Sequence, residues 1–491
     1  VLAGMFNIFN MLEVNIFLPY LYTRVRCCGA GPGATPLGEQ YDVRADLEVR
    51  AIREEAAAQG LAIEGGASIA ACAVPAFPAS SRQWSLSPFC GNRAFVEDRA
   101  QRVVGINGPL QKLAGLAVLP VGGAVADAVG RRPVLIAYAV VLMAACFLYA
   151  LDAAVQSSYG DVGLYLAGAL LCVSWDPKDN VVNGAVSDMV SGEADRGRAF
   201  AFIVALNSVG MVVGFMASFF CLRMHLENYL LPWLFFACIG MGIFGFLALG
   251  MPETYPAHLR SPVTTSMLNP LSSHLRNFSL ISRDRVLVGL TALHFLLMFH
   301  FVGFITQGFS YLLLMGFSME EAVLPGVVGS MAQVAWSFVV MFALPRLGVR
   351  TCYISGHAMF AVAYLFWGPY TVMIGRSGPY IGNVAQGAAF ALIIPSMQAI
   401  ISQRVEKDNQ SKSFSAVSAV STVGCMLGMA FYSGVLFSGT ATGMMRALPA
   451  IVSACLALAC TVLAAVLFLV VPAGGHAGES CPEPSKHRSG P

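Results

Sequence analysis

Runs of about twenty mostly apolar residues recur along this chain, each closed by a short polar or charged turn. Twenty residues of α-helix cross the roughly 30 Å hydrocarbon core of a bilayer, so each run is expected to be one membrane span. The pattern places spans near 1–23, 104–126, 133–153, 161–189, 199–221 and 230–251. A second set falls near 285–308, 322–344, 351–371, 379–402, 412–437 and 447–472. Two interruptions stand out: a mixed segment at 24–103 and a polar connector at 252–284. The expected organisation is a first six-helix half at 1–251 with an insertion at 24–103, then the connector. A second half at 285–472 and a tail at 473–491 complete it. The expected fold class is an all-α polytopic membrane protein with twelve transmembrane helices.

Composition narrows the picture. The chain is 57% hydrophobic and 11% charged, against roughly 25% charged in soluble domains, and its mean hydropathy is +0.68. The net charge of +2 is spread through short loops, which argues against a nucleic-acid partner. Thirteen cysteines include no Cys-x-x-Cys pair, so neither a metal site nor a cofactor is expected. Nothing resembles a phosphate-binding loop or a catalytic triad, so an enzyme is not expected. The chain opens at Val1 inside an apolar run, which suggests a preceding cytosolic tail.

Loop charge sets the orientation. With the Gly123–Arg132 turn in the cytosol, inner loops hold thirteen lysines and arginines and short outer loops hold three, Arg223, Arg376 and Arg446. Positive-inside bias then puts both termini and the connector in the cytosol. The insertion is non-cytosolic, and Cys27, Cys28, Cys72 and Cys90 allow one or two disulfides there.

The turn itself reads Gly123-Ala-Val-Ala-Asp127-Ala-Val-Gly130-Arg131-Arg132-Pro133. This spacing resembles the loop between the second and third helices of major facilitator superfamily transporters. Asp188 with Glu193-Ala-Asp195-Arg196-Gly-Arg198, then Pro252-Glu253-Thr254-Tyr255-Pro256, and Pro395-Ser396-Met397-Gln398 resemble the tetracycline-resistance and hippocampus-abundant-transcript branch. The resemblance implies two pseudo-symmetric halves with a substrate site at the midplane between them. It also implies a gating role for Gly123, Asp127, Gly130, Arg131 and Arg132. Gly123 would admit a close helix, Asp127 would face a helix N-terminus of the other half, and Arg131 would pair with acids. One departure is Gly210-Met-Val-Val-Gly214-Phe215, where exchangers of this superfamily have Gly-x-x-x-Gly-Pro. The cysteine-bearing insertion more loosely resembles the proton-coupled folate transporter group, which keeps symport open beside antiport.

Charged residues inside spans are costly and usually functional. Asp176, Lys178 and Asp179 lie within the fourth span, where Pro177 is expected to break the helix. Asp176, Asp179 and Asn183 share one helical face, and Lys178 is expected to meet an acid on another helix. Glu13 in the first span is a candidate proton carrier, or a structural partner of Lys112. His300 in the seventh span shares a stripe with Gln307 and suits proton relay. Asn107, Gln111, Asn207 and Gln386 join Asn183 and Gln307 as candidates for lining a substrate cavity.

The reading is a secondary transporter that moves a small organic solute by alternating access, coupled to protons, embedded in lipid and functional as a monomer. A facilitative uniporter and a non-transporting receptor that retains the fold stay open as alternatives.

Overall fold

The computed structural model describes residues 93–155, 162–190, 193–223, 230–260, 262, 264, 269–318, 320–405, 409–438 and 441–470. The expected first span at 1–23, with Glu13, and the insertion up to residue 92 lie outside the described residues. Among those described, every regular element is helical. In chain order they are α1 (Arg93–Val129), α2 (Arg131–Val155), α3 (Val162–Met189), α4 (Glu193–Arg223), α5 (Leu230–Gly245) and α6 (Pro270–Ser282). The rest are α7 (Arg285–Leu314), α8 (Leu324–Leu347), α9 (Val349–Leu365), α10 (Gly378–Arg404), α11 (Gln410–Phe431) and α12 (Leu448–Val470). Three of them run on through a wider π turn, α5 at Phe246–Gly250, α9 at Phe366–Tyr370 and α11 at Tyr432–Leu436. In α9 that turn contains Pro369, which has no amide hydrogen to give to the ladder.

Among the described residues, ten helices are long and apolar enough to cross a membrane. α3, at 28 residues, is long enough as well but carries Asp176, Lys178 and Asp179 midway. α1 is longer than a bilayer requires. Its 37 residues rise about 55 Å, while its apolar span is Gly108–Val129.

Three apolar clusters fill the interior, the smallest joining Ala201 of α4 to Val340, Cys352 and Leu392 of the second half. One cluster joins α1, α2, α3 and α5 around Leu135, Leu142, Trp233 and Phe236, with Tyr149 stacked on Trp233 at 4.2 Å. The largest joins α7 with α9–α12 around Leu290, Leu297, Phe360 and Ile393, and takes in Val186 of α3 and Phe200 of α4. The seam between the halves is α1 against α11, and α4 against α8 and α10. α10 is wedged among α4, α8 and α9, and most of its span is buried.

The polar connector holds a helix that its composition hides. Asn269 caps α6 by accepting from the Leu271 and Ser272 amides at 3.0 and 3.4 Å, with Pro270 in the first turn. α6 packs against α11, α1 and α7. His274 Nε2 donates to the Leu116 carbonyl at 3.0 Å, about 20 Å up α1 from its Val129 end. The connector therefore folds back beside the seam. Asp284 then starts α7, accepting from the Val286 amide at 2.7 Å while Arg404 at the end of α10 donates to it at 2.8 Å. Burial pushes its carboxyl up, but those bonds and the Arg404 charge outweigh burial and hold it below the ordinary carboxylate range.

Candidate functional site

The charged turn between α1 and α2 is the hub of a network of polar contacts, called the latch below. Gly130 has φ +112°, a conformation that side chains rarely adopt, and a Cβ there would strike the Glu253 carboxylate. That sharp reversal aims the first amides of α2 at Glu253. Its Oε1 accepts from Arg131 N at 3.0 Å and its Oε2 from Arg132 N at 3.3 Å. An anion at a helix N-terminus answers both the bare amides and the helix dipole. Oε1 also accepts from Tyr255 N at 2.9 Å, and Arg260 approaches Oε2 at 3.8 Å. The segment after α5 is thus bound to the turn.

Two arginines leave in opposite directions. Arg132 donates to the Leu247 and Ala248 carbonyls in the π turn that ends α5. Arg131 is 1% exposed and runs inward. Its Nη1 donates to Asp127 Oδ1, its Nε to Asp188 Oδ2 at 3.3 Å, and its guanidinium lies over the Tyr255 ring at 4.7 Å. A buried arginine needs this many partners, because an unpaired charge there is strongly unfavourable. Gly184 of α3 lies beside the guanidinium.

From this hub the contacts cross to the second half. Asp127 Oδ2 faces Lys412 Nζ at 3.9 Å, in the first turn of α11. A Cβ on Gly123 would stand 2.5 Å from Ser415 Oγ and 3.3 Å from the Ser411 carbonyl, so glycine there allows α1 and α11 to touch. Ser418 donates to Asn180 Oδ1 at 2.7 Å, and Gln398 to Asn183 Oδ1 at 3.1 Å. Arg196, at the start of α4, donates to the Ser402 carbonyl at 2.9 Å and to the Val190 carbonyl at 2.7 Å. All of these lie on the side of the protein that carries Gly130.

α3 corrects one expectation. It passes through Pro177 as an unbroken helix. In a packed bundle neighbouring helices can carry a proline without a break, and Pro177 sits against Gly122 of α1. Lys178 is 2% exposed, and its Nζ pairs with Asp179 at 2.6 Å, although the Asp179 side chain is about half exposed. The Asp176 and Asn107 side chains lie outside the described residues. Gln111 lies across Gly168 of α3 with its Nε2 unpartnered, and the half-buried Asn207 has an unpartnered Oδ1. Asn183 is in the latch seam. Gln386 in α10 is buried with Oε1 unpartnered. His300 and Gln307 lie instead inside the second half, where His300 Nδ1 meets the Tyr364 hydroxyl at 2.9 Å.

With this geometry in place, comparison with known proteins is decisive. The Major Facilitator Superfamily family matches residues 76–374. The chain belongs to the Major Facilitator Superfamily. The class C tetracycline resistance protein of Escherichia coli is 26% identical over 356 residues, which span 70% of this chain and 81% of that protein. The human organic anion transporter MFSD10 (TETRAN) superposes with a TM-score of 0.64 at 16% identity, over 94% of this chain and 98% of its own. The xylose transporter XylE from E. coli, in a partially occluded inward-open conformation, gives 0.56 at 12% identity, over 77% and 89%. This superfamily member is therefore an integral multi-pass membrane transporter and not an enzyme.

Sequence reasoning singled out the turn but not Glu253 or Tyr255 as its partners. The signal that could have found them is an acid just past the sixth span, on the side where the arginines gather. His357 was missed entirely. Tyr353, His357, Phe360 and Tyr364 recur at i, i+4, i+7 and i+11 on one face of α9, which marks a buried polar and aromatic stripe.

Proposed function

We propose that this transporter moves a small organic solute by alternating access, coupled to protons, and that the latch holds its cytosolic gate shut. The observation that carries the reading is the set of cross-half bonds from α1, α3 and α4 to α10 and α11, all on the Gly130 side. Rocking the halves apart requires those bonds to break together, which makes them a gate. Loop charge supports placing that side, and both termini, in the cytosol. Lys178 and Asp179, with Asp176 and Glu13, keep charge within membrane spans, where it is retained for transport of ions or substrate. Asn183 belongs to the gate in this conformation and is freed to face substrate when the gate opens. The relatives include a tetracycline resistance protein, an organic anion transporter and a xylose transporter, which supports a small organic solute as the class. A monomer suffices for this mechanism, in the plasma membrane or an endomembrane.

The test is a thermal-shift screen of the purified chain against tetracyclines, organic anions and sugars at about pH 5.5 and 7.5. Binding to the folded state raises apparent stability by mass action. Hits whose shift depends on pH, and lose that dependence in Glu13→Gln or Asp176→Asn, are expected. Hits indifferent to pH in the unaltered protein would refute coupling and point to a uniporter.

A further inference from the structure

The second half contains buried polar groups that its packing leaves without partners. His300 is fully buried in α7, and only its Nδ1 is engaged, by Tyr364 of α9. Its Nε2 has none. His357 of α9 is fully buried with both ring nitrogens unpartnered, as is His294 Nδ1 on α7. The His300 ring meets those of Phe360 and Tyr364 at 5.9 and 5.5 Å, three and seven residues along α9 from His357, and the His357 ring meets that of Tyr353 at 4.8 Å, edge on. The Tyr353 hydroxyl is also unpartnered. Further along the same face of α7, both polar atoms of Gln307 and the hydroxyl of Tyr311 are buried without partners. Between these levels, Tyr432 and Ser453 share a 2.7 Å hydrogen bond, and Ser453 reaches the His300 carbonyl at 3.5 Å.

His300, Gln307 and Tyr311 recur at i, i+7 and i+11 on one face of α7, while His294 lies about 120° around that helix. From His294 to Tyr311 is seventeen residues of α7, about 25 Å, and Tyr353 extends the set toward the Gly130 side. The far end borders a shallow surface indentation lined by Tyr311, Ser438, Arg446 and Pro449, with room for about one water. The other end is covered by Phe468, whose ring meets Tyr353 at 6.0 Å and lies under the Arg350 guanidinium at 5.3 Å. Buried polar atoms in native proteins are almost always satisfied, by ordered water where protein supplies no partner. No carboxylate or lysine is among these groups, so the set suits neutral water and transient protons better than a metal or a charged solute.

We propose that the interior of the second half holds a file of ordered water joining Tyr311, Gln307, His300, His357, His294 and Tyr353 into a proton path. It is distinct from the seam between halves. An imidazole passes a proton by accepting it on one ring nitrogen and releasing the proton on the other, with no net change of charge after each transfer. Arg350 and Phe468 close the path on the Gly130 side. Its use in transport rests on the proton coupling proposed above, but the water file does not.

The test uses the whole chain with ¹⁵N-labelled histidine in lipid nanodiscs, without solute. Water-edited solid-state NMR transfers signal from water to nitrogens a few ångströms away. Ring nitrogens of His294, His300 and His357 are expected to gain signal comparably to exposed His258, and their N–H protons to exchange within minutes of transfer to D₂O. Absent build-up, or ring protons that persist for a day while His258 exchanges, would overturn the proposal. His357→Phe should remove one resonance and slow exchange at His294 at least tenfold relative to His300, which lies nearer the surface indentation. His357→Gln, which keeps a hydrogen-bonding group, should restore exchange to within about threefold. Equal exchange at His294 in all three proteins would show that His357 is not in the path. A pH-indifferent transporter with a hydrated file would refute proton coupling and leave this inference standing.

Discussion

Glu253→Gln should loosen the latch from outside the turn that defines it. The native carboxylate accepts from three backbone amides and faces the Arg260 guanidinium at 3.8 Å. An amide keeps one acceptor at Oε1 but presents N–H₂ where Oε2 receives Arg132 N. One charge-assisted bond is lost, about 1.5 kcal/mol. The charge at the α2 N-terminus is lost too, worth roughly 0.3–1 kcal/mol. Glu253 is about a quarter exposed, so water recovers part of this, and a net weakening of about 1.4 kcal/mol is a reasonable central value. If it falls on the latched state, the open population rises about tenfold. A cysteine at Ser187, 1% exposed on α3 between Gly184 and Asp188, reports that population. Its alkylation by a water-soluble maleimide, followed site by site with mass spectrometry, should be about tenfold faster with Glu253→Gln. Glu253→Asp should fall between the two. An unchanged labelling rate in Glu253→Gln, beside a raised rate in Arg131→Ala, would show that Glu253 caps a helix without holding the gate.

Other perturbations have equally definite expectations. Gly130→Ala places a Cβ against Glu253 at positive φ, and should cost about 1–3 kcal/mol, seen as a lower melting temperature and poorer yield. A double-mutant cycle on Asn183→Ala and Gln398→Ala should return a coupling of about 0.6–1.7 kcal/mol, measured by thermal unfolding in detergent; additivity would mean the bond does not count. Asp284→Asn keeps the cap on α7 but removes the charge facing Arg404. The Asp284 carboxyl is held low in the folded protein, so its contribution is complete above the unfolded value of about 3.9 and is lost as pH falls through the folded one. The stability gap between wild type and Asp284→Asn should therefore stay constant from about pH 8 to 5 and close below pH 4; a gap that widens in acid would reverse the sign.

Much of this architecture was legible because a bilayer imposes a length and a composition on every span. The Gly123–Arg132 turn was legible because its chemistry is local, Asp127 and Arg131 meeting across the reversal at Gly130. Glu253 was not, since it lies over 120 residues away and only tertiary packing brings it back. α6 was hidden by serines, histidine and arginine that make its segment look like a linker, with Asn269-Pro270 as the lone start signal. Pro177 was misread by applying to a packed bundle the cost a proline has in an isolated helix. Lys178 and Asp179 were conspicuous in sequence, but nothing local indicates that one is buried and its neighbour half exposed.

The length of α1 has a mechanical consequence. The residues from Arg93 to Asn107 precede its apolar span and continue the helix for about 22 Å. That extension is continuous with the helix that ends in the Gly123–Arg132 turn. A tilt of about 15°, the scale of rigid-body rotation in allosteric proteins, swings its tip by roughly 6 Å. If the halves rock as proposed, motion that is small and buried beside Gly130 is magnified at the far end of α1, where a pair of spin labels or dyes could read it.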